Sequence, residues 1–160
     1  MWQSAVQEIS LDSVRIFWLD YPLITERLKE ILEKFKDYPE ILEVWVFGSF
    51  AQLKAVPGSD IDLLLVMKES EKRLIDRIER YQDMFSDMGM SVDVFPYTIQ
   101  ESDLPFVQNA KRTGICIYNV SDEQVGTQGL LYLEDAAKDI LKTLRKEKEN
   151  VYDDSNSLIS

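Results

Sequence analysis

A chain of 160 residues, 45% hydrophobic and 29% charged, is long and apolar enough for one domain with a real core. Its net charge of −11 disfavours a long nucleic-acid substrate, whose phosphates such a surface repels, but admits a small nucleotide carried in with Mg²⁺ or a basic protein partner. With no histidine and a single cysteine, Cys116, the chain excludes Ser–His and Cys–His catalysis, His-ligated zinc and an internal disulfide, so acid–base or metal chemistry must rest on carboxylates.

The N-terminus, "MWQSAVQEIS", lacks the basic patch and apolar run of a signal peptide, and no apolar stretch approaches the roughly 18 residues of a membrane span. A cytoplasmic location is expected. Residues 1–22 read as an N-terminal extension in which "SVRIFWLDY" forms either a short strand or an amphipathic helix docked on the domain. Pro22 then stands near a helix start, and Ile24, Leu28, Ile31, Leu32 and Phe35 recur at helical spacing until Pro39. "LEVWVFG" is a β-branched and aromatic strand broken by Gly48, and "DIDLLLV" is the second strand.

Leu74, Ile75, Ile78, Tyr81 and Phe85 mark one face of the next helix, with Ser70 and Gly89 as candidate caps. "SVDVFPY" is a third strand, "ESDLPFVQNAKRTG" a short broken helix, and "ICIYNV" a fourth strand or the sheet edge. The loop "SDEQVGTQG" leads to a last helix, striped by Leu130, Leu133, Ala137, Ile140, Leu141 and Leu144, and "NVYDDSNSLIS" is a flexible tail. The predicted fold is α+β: a small mixed β-sheet covered mainly on one face by helices. It is divided into the extension (1–22), a core domain (23–122), a C-terminal helix packed on the domain or a partner (123–150) and a tail (151–160). The stripe Leu130–Leu144 reads as intramolecular packing or a homodimer contact.

The chemistry concentrates in "VFGSFAQLKAVPGSDIDLLLV", residues 46–66. Residues i and i+2 of a strand share a face, so Asp60 and Asp62 project together, and that face continues into Leu64 and Val66. Two carboxylates where a core face opens into a cleft repel each other, and a divalent cation resolves the repulsion; oxygen-only ligands point to Mg²⁺ or Mn²⁺. Gly48 allows a sharp bend and close ligand approach, and Ser49 reads as an N-cap opening a short helix whose free N–H groups attract phosphate. Two metals are common in nucleotidyl transfer, which calls for a third acid. Asp93 in the third strand, facing opposite to Val92 and Val94, is the candidate. Trp45, more than Trp2 or Trp18, is a candidate for stacking a base, and Lys111 and Arg112 for reaching a triphosphate; core and surface roles are the plainer alternatives.

The run Gly48-Ser49, a ten-residue spacer, Asp60-x-Asp62 and the later Asp93 resembles the signature of the DNA polymerase β-like nucleotidyltransferase superfamily. Its minimal, stand-alone members are the nearest in form, over about residues 24–120. The resemblance implies Asp60, Asp62 and Asp93 as catalytic metal ligands and Gly48, Ser49, Lys54 and Ser59 as nucleotide-binding residues. It also implies Mg²⁺ or Mn²⁺ and an NTP, with ATP the expected donor of a nucleoside monophosphate to an acceptor hydroxyl and pyrophosphate released. Gln52 and Leu53 depart from the family, which often carries Arg and Gly there; Lys54 is the substitute for the Arg. The second domain of larger relatives is not seen, so the acceptor is expected on a partner, such as a HEPN-type toxin for which the chain serves as antitoxin. The competing reading is a non-catalytic binding module of the same fold, acting by sequestration or nucleotide sensing.

Overall fold

The computed structural model describes residues 4–11 and 14–157, so Trp2 and the last three residues fall outside it, as does the Trp18 side chain. Val6–Leu11 (β1) and Val14–Leu19 (β2) pair antiparallel, which settles the open choice at the N-terminus in favour of strands. Ala5 N–H donates to Gly89 O (3.0 Å), which ties the hairpin to the rest, and Asp20 N–H donates to Ala5 O (2.8 Å) across the hairpin's base.

Helix α1, Tyr21–Lys34, begins where the Asp20 carboxylate accepts from Leu23 N–H (3.1 Å), with Pro22 in its first turn. Ile24, Leu28, Ile31 and Leu32 face inward, and Phe35 continues the buried stripe. Four strands form the main sheet: Ile41–Phe47 (β3), Ile61–Met67 (β4), Val92–Thr98 (β5) and Ile115–Asn119 (β6), in the order β5-β4-β3-β6. β3 runs antiparallel to both neighbours while β4 and β5 are parallel, so the sheet is mixed. The parallel pair needs a crossover, supplied by helix α3, Leu74–Gln82. Helices α4, Pro105–Thr113, and α5, Glu123–Ser157, flank β6 in sequence.

The two sheet faces are unequal. Val44, Val46, Ile61, Leu63, Leu65, Val92 and Val94 meet α1, Phe85 and the Leu133 and Ala137 side of α5 in the main core. The opposite face carries Trp45, Phe47, Leu64, Val66, Phe95 and Tyr97 and is covered by α4, whose Val107 and Ala110 are buried against it. This is the α+β sheet, helical mainly on one side, that the sequence predicts.

Two corrections concern helices. The segment "SDEQVGTQG", read as a loop, is mostly the start of α5. Its glycines are spacers rather than breakers: a Cβ on Gly129 would stand 1.8 Å from Cys116 O, and one on Gly126 3.0 Å from Tyr118 Cα, so their absence lets α5 lie directly on β6. The helix also runs on to Ser157, through most of the stretch for which a tail is expected. Each added residue of an established helix gains one backbone bond, and the Lys/Glu-rich segment before it favours that continuation.

In α3, Ile75 is exposed and Arg77 takes the inward position. The Arg77 guanidinium donates to Pro96 O (2.8 Å) and to Glu101 Oε1 (2.6 Å), while Glu101 also accepts from Thr98 N–H (2.9 Å). These bonds hold the Glu101 carboxyl below its ordinary range, Arg77 first among the causes. A depressed carboxyl stabilises the fold above its unfolded pKa and loses that contribution as pH falls. Arg77→Met is expected to cost about 2 kcal/mol in urea denaturation at neutral pH. Glu101→Gln is expected to flatten the acid limb of the stability curve.

Candidate active site

Strand β3 delivers Phe47 opposite Asp62, and the chain then turns at Gly48 with φ +75. A Cβ at Gly48 would sit 2.4 Å from Asp62 Oδ2. The position therefore demands glycine twice, for a left-handed backbone and for the carboxylate packed against its Cα. Gly48–Ala51 (α2) is a single helical turn with Phe47 in the N-cap position, so Ser49 lies inside the turn rather than capping it as expected. The Ser49 carbonyl accepts from Lys54 N–H (2.8 Å). From below, Phe50 is buried and stacks on Tyr21 (4.9 Å, 9°), and the Tyr21 hydroxyl donates to Ala55 O (3.1 Å).

After α2 come the two residues that depart from the pattern. Gln52 is exposed, and Leu53 adopts φ 61, the left-handed conformation that glycine takes at no steric cost. For leucine that costs roughly 1–2 kcal/mol. Packing offsets it, because Leu53 sits against the main core; its outer side lines a cavity shared with Ile140 and Leu144 of α5. The Lys54 side chain is exposed. Val56–Ser59 then forms a turn with Pro57 second and Gly58 third (φ +92), the residue order of a type II turn. Ser59 N–H donates to Val56 O (2.9 Å), and Val56 N–H donates to Ser59 Oγ (3.0 Å). The Ser59 hydroxyl thus closes the turn that aims Asp60.

Asp60 is exposed just before β4, Asp62 is half-buried within it, and Asp93 is exposed on β5. Asp62 and Asp93 are register partners across the parallel pair, so adjacent strands about 4.8 Å apart put them side by side on one face. Burial, then Asp93, then Asp60 push the Asp62 carboxyl above its ordinary range. Burial is the larger cause; the repulsion expected of the Asp60–Asp62 pair adds to it, with Asp93 contributing more than Asp60. Among the described residues, no three acidic or thiol side chains are gathered tightly enough to enclose a metal ion. The donor chemistry nevertheless fits a hard divalent cation: oxygen ligands alone, like-charged and partly desolvated.

Other candidates lie elsewhere. Trp45 donates its indole N–H to Glu43 (3.2 Å) and carries the Lys111 ammonium over its ring (5.7 Å to the centroid). Lys111 also pairs with Glu43 (3.4 Å), and Arg112 bonds Asn109 (2.7 Å), so these cations are engaged on α4 and β3. Cys116 is buried, its thiol pushed up to about 11 by burial, as befits a core residue. Sequence reading missed the phenylalanines beside the acids. Phe47 precedes Gly48, Phe95 lies two residues beyond Asp93 on the same face, and Phe106 of α4 packs on both (5.7 and 4.9 Å between centroids). The strand alternation puts Phe47 and Phe95 on that face, but sequence reading considers only the tryptophans as stacking rings.

A family model described as "Polymerase beta, Nucleotidyltransferase" matches residues 29–123. A protein of Methanocaldococcus jannaschii, provisionally named a protein adenylyltransferase, is 31% identical over 84 residues, 51% of this chain and 56% of that relative. The chain thus spans about half the length of that relative. Among solved structures, a provisionally named nucleotidyltransferase from Sulfolobus solfataricus matches at 25% identity and a TM-score of 0.46, over 65% of this chain and 84% of that one. A toxin–antitoxin structure with AMP-PNP matches at 18% identity and a TM-score of 0.47, over 81% of this chain and 96% of that chain. The stretch covered by the family model runs from α1 through β6 and takes in the Gly48 turn and all three acids, and on that ground the chain belongs to the polymerase β nucleotidyltransferase family.

Proposed function

We propose that this chain is a Mg²⁺-dependent nucleotidyltransferase that moves AMP from ATP to a hydroxyl group on a partner protein. The observation that supports it most is the pairing of Asp62 with Asp93 beside the Gly48 turn. In this reading Asp60, Asp62 and Asp93 would hold the divalent cation, which would supply charge neutralisation to the triphosphate. Gly48 and Ser49 present backbone amides to the phosphates, with Lys54 free to reach them, and Ser59 orients Asp60 through its turn. The acceptor oxygen bonds to the α-phosphorus, the α–β phosphoanhydride breaks, and pyrophosphate leaves with the bonding pair. Asp93, exposed at the edge of the site, takes the acceptor's proton.

The protein acceptor is supported by the name of the archaeal relative and by the net charge of −11, which suits a basic partner. An antitoxin that adenylylates a HEPN-type toxin is the specific form of this proposal, and a cytoplasmic location accompanies it. No helix among the described residues is long and apolar enough to cross a membrane.

The test is incubation with labelled ATP, Mg²⁺ and cell lysate, alongside Asp60→Ala/Asp62→Ala. Label on a protein acceptor that vanishes with the double variant supports the transferase. Equal blanks from both proteins, with a partner still retained by each, would replace it with the sequestering module that Gln52 and Leu53 favour.

A further inference from the structure

We propose that Phe106, with Phe95 and Phe47 beside it, is the stacking platform for the nucleobase of the donor nucleotide; this rests on the transferase reading above. Helix α4 docks through Val107 and Ala110, which are 1% and 0% exposed, whereas Phe106 in its first turn is 39% exposed. The helix is thus anchored mainly by those two residues, and the ring, packed on its neighbours, stays partly in solvent on the face of the sheet that carries the acids. Phe106 lies 4.9 Å from Phe95 and 5.7 Å from Phe47 between centroids, with Tyr97 at 5.5 Å, so the rings form one continuous apolar surface.

Its position relative to the acids is fixed by the strands. Phe47 is opposite Asp62 in register, and Phe95 follows Asp93 by two residues on the same face, roughly 6.6 Å along the strand. With the triphosphate at Gly48 and Ser49 and the α-phosphate at the acids, the nucleoside lies beyond the acids. The exposed ring there is Phe106. Trp45, another large ring on this face, already carries Lys111. Phenylalanines offer a flat surface without hydrogen-bonding edges, which suits a purine or pyrimidine ring and discriminates little between them.

The probes are ATP and inorganic tripolyphosphate, each with Mg²⁺, titrated into wild type, Phe106→Leu and Phe106→Trp. Leucine keeps apolar bulk over Phe95 and removes the π face; tryptophan restores it. The expected result is about a tenfold rise in Kd for ATP with Phe106→Leu, none for tripolyphosphate, and recovery with Phe106→Trp. Unchanged ATP affinity in Phe106→Leu, or equal losses for both probes, overturns the platform alone. A wild type that binds neither probe overturns the transferase reading and the platform together. Unchanged ATP binding with a raised KM for the acceptor also overturns it, and hands the ring to the acceptor.

Discussion

Asp62→Asn is expected to melt a few degrees above wild type in metal-free buffer at pH 7 and to lose transfer activity by about 10³-fold. In the proposed mechanism the activity loss follows from removing a carboxylate that would hold a cation worth several kcal/mol of transition-state stabilisation. The gain in stability has its own cause. Burial, Asp93 and Asp60 all raise the Asp62 carboxyl, so its charged form is disfavoured in the folded chain. For a raised carboxyl, the stabilising contribution is present below the unfolded pKa and lost as pH rises through the folded one. Wild type therefore bears the penalty at pH 7, the asparagine variant does not, and the gap between them closes as the pH falls into the carboxylate range. Mg²⁺ should raise the melting temperature of wild type and leave Asp62→Asn unmoved. A variant that melts lower than wild type at pH 7 without metal contradicts the repulsion at this site.

Gly129→Ala should destabilise the fold, against the usual gain of about 1 kcal/mol for alanine in a helix interior. The added Cβ would meet Cys116 O at 1.8 Å, a backbone atom that cannot swing aside. Either α5 shifts off β6 or the strand bends, and overpacking of this kind costs typically 1–3 kcal/mol or more. The expected net result is a fall of at least about 3 °C in melting temperature. Gly126→Ala, whose nearest atom is Tyr118 Cα at 3.0 Å, should fall less. If Gly129→Ala melts higher than wild type, α5 does not lie on β6 as described.

These glycines also show where sequence reading stops. Strand alternation placed Asp60, Asp62, Leu64 and Val66 on one face and turned Asp93 opposite to Val92 and Val94, because period-two geometry is local. The inward stripe of α1 was legible for the same reason, at period 3.6. That Asp62 and Asp93 are direct register partners was not, since pairing across a crossover is set by packing of the whole sheet. Gly126 and Gly129 read as loop because a glycine serving close approach looks the same as one that breaks a helix. Arg77 did not stand out in the helix pattern because its partners, Pro96 O and Glu101, lie beyond the helix. Leu53 likewise gave no hint in sequence that it would keep the backbone conformation of the glycine it stands in for.

Tyr21 has a consequence for the order of folding. Its ring and hydroxyl hold Phe50 and Ala55, residues far along the chain, beside the local bonds that close the Val56–Ser59 turn. Closing that separation costs chain entropy before any contact repays it. The loop that joins the Gly48 turn to the acids is thus held twice, by the start of α1 at Ala55 and by its own turn at Val56–Ser59, and the first of these holds forms only once distant parts of the chain have met.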